Sequence, residues 1–202
     1  MKLRKNSIAL VCLVSSCFLP SAHAFDVSLL GAMTVSNYSL SAPTDIPSST
    51  GVAFGLGGTV GFDLNPFFSI ETGLLYLKHS YSTNLNLTNQ SFTYDYTTIP
   101  LLLRLNPISL ISFGAGFYYG IATSTSVDTT VGTAVSTTMD SPHTNDFGLM
   151  AGVGVRLPLI PMLLKLRADV LYEFGLVNLS ATPGVSQKAR NLDFFAGLML
   201  DI

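Results

Sequence analysis

Two-residue alternation runs through most of the chain. Between Met162 and Leu176 every even position is apolar, while the odd positions carry Lys165, Arg167, Asp169 and Glu173. Successive side chains of a strand point to opposite faces, whereas an amphipathic helix repeats every 3.6 residues. This segment therefore predicts a strand with one apolar and one charged face. The period recurs upstream: Phe68, Ile70, Thr72, Leu74 and Tyr76 oppose Ser69, Glu71 and Gly73. Val52, Phe54, Leu56, Val60, Phe62 and Leu64 oppose a row of Ala53, Thr59, Asp63 and glycines. Ile111 to Ile121 and Phe147 to Leu157 repeat it, with Ser, Gly, Met or Arg on the second face.

The connections alternate in length. Asn65-Pro66, the Asn106-Pro107 region and Leu159-Ile160-Pro161 have the chemistry of tight turns. Between them lie Ser/Thr/Asn/Pro-rich stretches at 40–50, 82–91, 127–144 and 180–189, expected to be long loops. Eight strands follow, at 26–38, 51–64, 67–81, 92–105, 109–124, 145–158, 162–178 and 190–202. Both termini fall on the short-turn side, the arrangement of bacterial outer-membrane barrels, in which short turns are periplasmic and long loops lie outside. Pro100 interrupts the fourth strand and removes a ladder donor, so a bulge or local irregularity is expected there.

Composition sharpens this picture. Only 11% of residues are charged, against about 25% in ordinary soluble domains, and the mean hydropathy is +0.47. Beyond the N-terminal segment no run approaches the roughly 18 uninterrupted apolar residues of a spanning helix. In lipid every backbone polar group must be satisfied internally, which leaves the closed barrel. The expected fold is all-β: an eight-stranded antiparallel up-and-down transmembrane β-barrel. A soluble periplasmic ligand-binding barrel is the rival, with its polar face outward. The second face here is rich in Gly and poor in Lys and Glu, which suits a narrow interior better than a watery exterior.

The N-terminus has the form of an export leader. Lys2, Arg4 and Lys5 precede an apolar stretch from Ile8 to Leu19, and Ala22-His23-Ala24 supplies a small-x-small cleavage pattern. Residues 1–24 are expected to be a cleavable signal peptide and 25–202 the barrel domain. Val14-Ser15-Ser16-Cys17 offers the alternative of a degenerate lipobox with a lipidated Cys17. Both cysteines lie in the leader, so cleavage after Ala24 leaves no thiol chemistry. It also leaves 7 basic against 12 acidic residues, which excludes a nucleic-acid partner.

Several stretches resemble the porin-family small outer-membrane barrels, relatives in architecture of the opacity-type proteins and the OmpA membrane domain. They are Phe68–Tyr76 (FSIETGLLY), Ile99–Arg104 (IPLLLR), Asp146–Gly152 (DFGLMAG) and Leu166–Asn178 (LRADVLYEFGLVN). The resemblance implies a bacterial outer-membrane location, periplasmic termini and outer-membrane lipid as the surroundings. It also implies a C-terminal assembly signal, formed by Gly197, Leu200 and Ile202, that engages the barrel-assembly machinery. Ile202 stands where members of that family usually end in Phe.

The inward face carries Asp63, Glu71, Arg104, Arg156, Lys165, Arg167, Asp169 and Glu173, with Asp193 on the last strand. This interior charge cluster is expected to form a salt-bridge network, buried charges persisting when paired; the competing reading is a selectivity lining. No catalytic, cofactor or metal site is expected. His79 and Ser80 are adjacent on a strand and so face opposite ways. His143 is a loop histidine near Asp140 and Asp146 without ligand spacing. The pairs Gly55/Gly57, Gly114/Gly116 and Gly152/Gly154 precede no helix and are no phosphate loops. Three roles follow in order of preference. The first is a structural or adhesin-like surface barrel whose outer loops meet host or matrix ligands. A narrow porin-like channel comes second and a lipid-modifying enzyme third.

Overall fold

A computed structural model describes residues 25–41, 48–85, 88–131, 134–140, 145–161, 163–179 and 186–202. The strands are β1 (Phe25–Ser41), β2 (Ser48–Asn65), β3 (Phe68–Leu85), β4 (Thr88–Ile108), β5 (Ile111–Val131), β6 (Ala134–Asp140), β7 (Asp146–Ile160), β8 (Leu164–Gly175) and β9 (Ser186–Asp201). Eight of them close into an antiparallel barrel: the sheet runs β4-β3-β2-β1-β9-β8-β7-β5, and β5 pairs back onto β4. The ninth, β6, pairs only with the distal part of β5, from Thr125↔Asp140 to Val131↔Ala134. The barrel is therefore eight-stranded, as the alternation predicts, with a β-arm above one edge.

The short-turn end is built from local chemistry. Asn65 Oδ1 accepts from the backbone N–H of Phe67 (2.8 Å) and of Phe68 (2.9 Å), closing the β2–β3 turn. The two ends of the domain are knit there as well: Phe25 N–H donates to Ile202 O (3.2 Å) and Ile202 N–H to Phe25 O (2.8 Å).

At the other end the strands are longer than the sequence suggests. Stretch 82–91, expected as a loop, is a hairpin paired through Leu85↔Thr88, and 127–140 is mostly the β5–β6 hairpin. Ser and Thr are common in loops, but Thr is also at home in strands, and here each hairpin arm satisfies its backbone on the other. The leader with Cys17, His143 and residues 180–185 lie outside the described residues. At Pro100 the β3–β4 pairing stops at Thr72↔Leu101 and resumes at Leu75↔Thr98 on the same register, with the Thr72 hydroxyl donating to Pro100 O (2.8 Å). The ladder is interrupted there without a bulge; the register shifts of β4 against β5 lie on either side, between Asp95 and Tyr96 and between Leu105 and Ile108.

The faces sort as the alternation requires. Leu29 (71% exposed), Phe54 (68%) and Leu56 (63%) stand outward with Leu74, Leu101 and Phe117, while Leu77, Leu102, Arg104 and Glu173 are buried inside. A soluble monomer rarely exposes contiguous apolar patches above a few hundred Å². A barrel in lipid requires such a band. On β5 the outward apolar residues run from Ile111 to Ile121 before Thr123, and on β4 from Ile108 back to Ile99 before Thr97. Those lengths match the roughly 9–11 residues a tilted strand needs to cross a bilayer. Yet β4 and β5 have 21 residues each, so each continues about ten residues beyond the band. Tyr76 and Tyr119 are exposed near its upper margin, where interfacial aromatic residues belong, whereas Tyr96 and Tyr118 turn inward and are buried.

Candidate functional site: the barrel lumen

The lumen is stratified. Nearest the short turns, Asp26, Asp63, Arg156, Lys165 and Asp201 line an open mouth of about 300 Å³. Lys165 Nζ pairs there with Asp201 Oδ2 at 2.6 Å, both side chains about a quarter exposed.

Above the mouth sits a compact, fully buried ionic layer. Arg104 on β4 donates through Nη2 to Glu71 Oε1 (3.0 Å) and through Nη1 to Asp169 Oδ1 (2.9 Å). Arg167 on β8 answers from the other side, with Nη2 on Glu71 Oε1 (2.8 Å) and Nε on Asp169 Oδ2 (2.5 Å). Its Nη1 reaches Ser28 Oγ (3.1 Å) and Thr59 Oγ1 (3.0 Å) across the barrel. Two carboxylates thus face two guanidiniums whose planar forks suit bidentate pairing. The layer is charge-balanced and satisfied largely from within.

An apolar belt closes the lumen above it: Leu30, Leu75, Leu77, Leu102, Tyr118, Met150, Leu171 and Phe195 pack as one buried cluster. Glycines make room for it. A Cβ on Gly57 would stand 2.6 Å from Leu75 Cδ2, and one on Gly152 would stand 2.9 Å from Leu171 Cδ2. These inward glycines let a narrow barrel hold full-sized leucines on the neighbouring strand. One cavity between the belt and the ionic layer, lined by Leu30, Leu75, Leu102, Leu171 and Phe195 with Thr59, Glu71 and Arg167, holds about 10 Å³, at the lower limit of what one water needs.

Beyond the belt lies a second polar layer of different character. His79 on β3, Glu173 on β8 and Asp193 on β9 are all buried, and one ligating atom from each lies within 4.8 Å of the others. Asn191 Nδ2 donates to Glu173 Oε2 (2.8 Å) and lies 3.2 Å from His79 Nδ1. His79 Nε2 is 3.8 Å from Glu173 Oε2, and the His79 ring packs at 5.3 Å from that of Tyr96. Glu173 Oε1 and Asn191 Oδ1 receive no hydrogen bond of sound geometry, and the Asp193 carboxyl lies against the Thr34 hydroxyl and the Glu173 carboxyl. Asp146 is nearer to satisfied, accepting from the Tyr118 hydroxyl at 2.8 Å. Arg190 directs Nη1 at the carbonyl oxygens of Gly175 (2.9 Å) and Ala189 (2.7 Å) and lies over the Phe174 ring.

The eight inward charges expected as one cluster are therefore distributed over three levels. Glu71, Arg104, Arg167 and Asp169 meet in the ionic layer; Asp63, Lys165 and Arg156 lie at the mouth; Glu173 stands alone above the belt with Asp193. The sequence reading missed His79 and Asn191 as members of that upper group. The available signal was parity: His79 shares its strand face with Glu71, Leu75 and Leu77. Ser80, its neighbour, is on the opposite face, as adjacency requires. At the C-terminus Gly197 faces inward against the Leu29 backbone, while Leu200 and Ile202 are exposed on the outer face.

Comparison with known proteins agrees with this architecture. The profile of the outer membrane protein beta-barrel domain matches residues 15–181. The fold is similar to that of the outer membrane protein OprG from Pseudomonas aeruginosa, with 14% identity, 90% of this chain and 96% of that chain covered and a TM-score of 0.57. Weaker likenesses include Ail of Yersinia pestis in complex with the heparin analogue sucrose octasulfate, at 10% identity, 90% and 100% coverage and a TM-score of 0.46. Neisserial surface protein A is similar at 14% identity, 89% and 99% coverage and a TM-score of 0.46. No curated protein matches the chain. With the family profile spanning most of its length and a closed eight-stranded barrel wrapped in an apolar band, the chain belongs to the outer membrane beta-barrel domain family and is a protein of the bacterial outer membrane.

Proposed function

We propose that the protein is a membrane-embedded scaffold that presents its long hairpins at the cell surface for contact with host, neighbouring-cell or matrix ligands. The filled lumen carries this reading. A packed apolar belt, a cavity of only about 10 Å³ where it meets the ionic layer and the cross-barrel ion pairs beneath it leave little room for solute, which weighs against the narrow channel. The extra length of β4 and β5 adds support, because strands that only crossed the bilayer would need about half as many residues. A lipid-modifying role gains nothing from His79, which is buried in the lumen with Ser80 on the opposite face. In the same reading the short turns and termini are periplasmic, residues 1–24 are removed, and Gly197, Leu200 and Ile202 serve assembly.

The test is a cell displaying the barrel with residues 127–144 replaced by a Gly/Ser stretch. Attachment to immobilised matrix proteins and host cells is expected to fall while the heat-dependent gel shift of the folded barrel persists. Unchanged attachment would remove the surface role of that hairpin. Steady single-channel conductance from purified protein in a planar bilayer would put the channel in its place. The mass of the mature chain tests cleavage after Ala24 against lipidation of Cys17.

A further inference from the structure

The layer above the apolar belt holds two buried carboxyl groups, Glu173 and Asp193, with no guanidinium or ammonium group paired to them among the described residues. Glu173 and Asp193 are each 0% exposed, and the described ion-pair partner of Glu173 is His79. Such a pair is costly to bury without a counter-charge. In the layer below, two guanidiniums supply it; here Arg190, the arginine closest in sequence, is turned onto backbone carbonyls and the Phe174 ring.

What the site has instead is a set of ligand atoms. We propose that His79, Glu173 and Asp193 bind one divalent transition-metal ion of the zinc type inside the barrel, with Asn191 holding the imidazole and Glu173 in place. The donor set is one imidazole nitrogen and two carboxylates, a mixture that suits zinc and its neighbours better than calcium or magnesium, which prefer oxygen alone. A dication with a neutral imidazole makes the group electrically neutral. The ligand atoms lie within 4.8 Å of one another, and small side-chain rotations bring three such atoms to the roughly 2.0–2.2 Å of zinc coordination.

Two further observations point to a ligand. The Asp193 carboxyl is fully buried and, among the described residues, lies against only the Thr34 hydroxyl and the Glu173 carboxyl, and Glu173 Oε1 and Asn191 Oδ1 are buried without a hydrogen bond of sound geometry, the Asn191 amide lying against the His79 ring. A carboxyl pair that shared one proton would satisfy itself without the imidazole; a metal ion would draw on all three groups, and that difference is what the experiment reads. The three ligands come from β3, β8 and β9, so the ion ties the barrel across its lumen. The inference goes beyond the surface role of the hairpins and does not depend on it.

The experiment is refolding of the full mature barrel into detergent with Zn²⁺ present, then removal of free ion and measurement of retained zinc. Folding is scored independently by the boiled-against-unboiled gel shift. Wild type is expected to retain about one equivalent, and His79→Gln and Asp193→Asn less than about a tenth of that; an Asn191→Ala barrel should lose affinity by about 10–100-fold, as for other residues that orient ligands. Refolding with Co²⁺ should give the visible absorption of a nitrogen–oxygen site, displaced by Zn²⁺. Folded wild-type barrel that retains no more metal than folded His79→Gln overturns the proposal. If Asp193→Asn fails to fold, Glu173→Gln replaces it under the same criterion.

Discussion

Glu71 and His79 lie eight residues apart on one strand, and both face the same lumen, yet they enter opposite kinds of surroundings. Around Glu71 every formal charge has an opposite partner within hydrogen-bonding range, and the hydroxyls of Ser28 and Thr59 take up a remaining guanidinium donor. Around His79 two acids meet one imidazole and an amide, and several acceptors stay open. Burial alone does not explain the difference, since both layers are shielded from water. The lower layer holds the barrel together, and its charges can be exchanged for shape; the upper layer concentrates unspent acceptors, the condition that binding requires.

The largest expected effect comes from breaking the balanced layer. Arg104→Met leaves Glu71 and Asp169 facing Arg167 alone, and removing one partner of a buried pair costs about 3–5 kcal/mol. Urea titration followed by the heat-modifiable gel shift should show the loss directly. A drop below about 1 kcal/mol would mean that water or a rearranged Arg156 replaces the lost guanidinium. In that case the two layers differ less than their geometry suggests.

The belt between the layers supplies the next test. Gly57→Val puts a branched side chain where a Cβ alone would stand 2.6 Å from Leu75 Cδ2 and 2.7 Å from Leu75 Cα. Overpacking of this kind costs about 1–3 kcal/mol. The backbone contact keeps Leu75 from simply rotating away. A neutral result would reveal slack in the belt, and with it a route by which solute could pass between the layers.

The sequence made the strand faces legible because period-two alternation is a local property. Ile70 outside and Glu71 inside can be read from neighbours alone. It did not show which inward charges meet, since Glu71 and Arg167 are 96 residues apart and their level is set by the stagger of strands around the barrel. The same limit hid the upper group: Glu173 looked like one more member of the ion network until Leu171 and Met150 intervened beneath it. Inward Leu75 and Leu77 also depart from the apolar-out rule, so the belt had no clean pattern to announce it. The hairpin extensions were obscured for another reason. Ser and Thr serve loops and strands alike, and no apolar face marks a strand that has left the membrane.

A third perturbation should reverse the sign of the first. Glu173→Gln replaces a buried acid that has no guanidinium or ammonium partner among the described residues by a neutral amide of the same shape, so in chelator-treated protein it should stabilise the barrel by up to about 1 kcal/mol. With saturating Zn²⁺ the order should invert, because the ion stabilises only the folded state that binds it. Equilibrium unfolding of both proteins under both conditions gives the four midpoints needed. Destabilisation without metal would show that the Glu173 charge is already compensated, and the contrast with the lower layer would narrow to one of geometry.

The smallest effect is expected at the mouth, where Lys165 and Asp201 form the shortest lysine contact in the lumen among the described residues, at 2.6 Å. Distance is a poor guide here. Both side chains are about a quarter exposed, water competes for each, and holding a lysine in one rotamer opposes the Coulomb gain. Exposed pairs contribute about 0–1 kcal/mol, so Lys165→Ala should shift the unfolding midpoint little, and less still at high salt. If it instead destabilised as much as Arg104→Met, the mouth would have to be as dry as the ionic layer above it. Depth in the barrel would then no longer decide what a charge contributes. A small, salt-sensitive loss, set beside a large, salt-insensitive one only a few residues further in, would show the interior passing from watery to dry within one turn of the sheet.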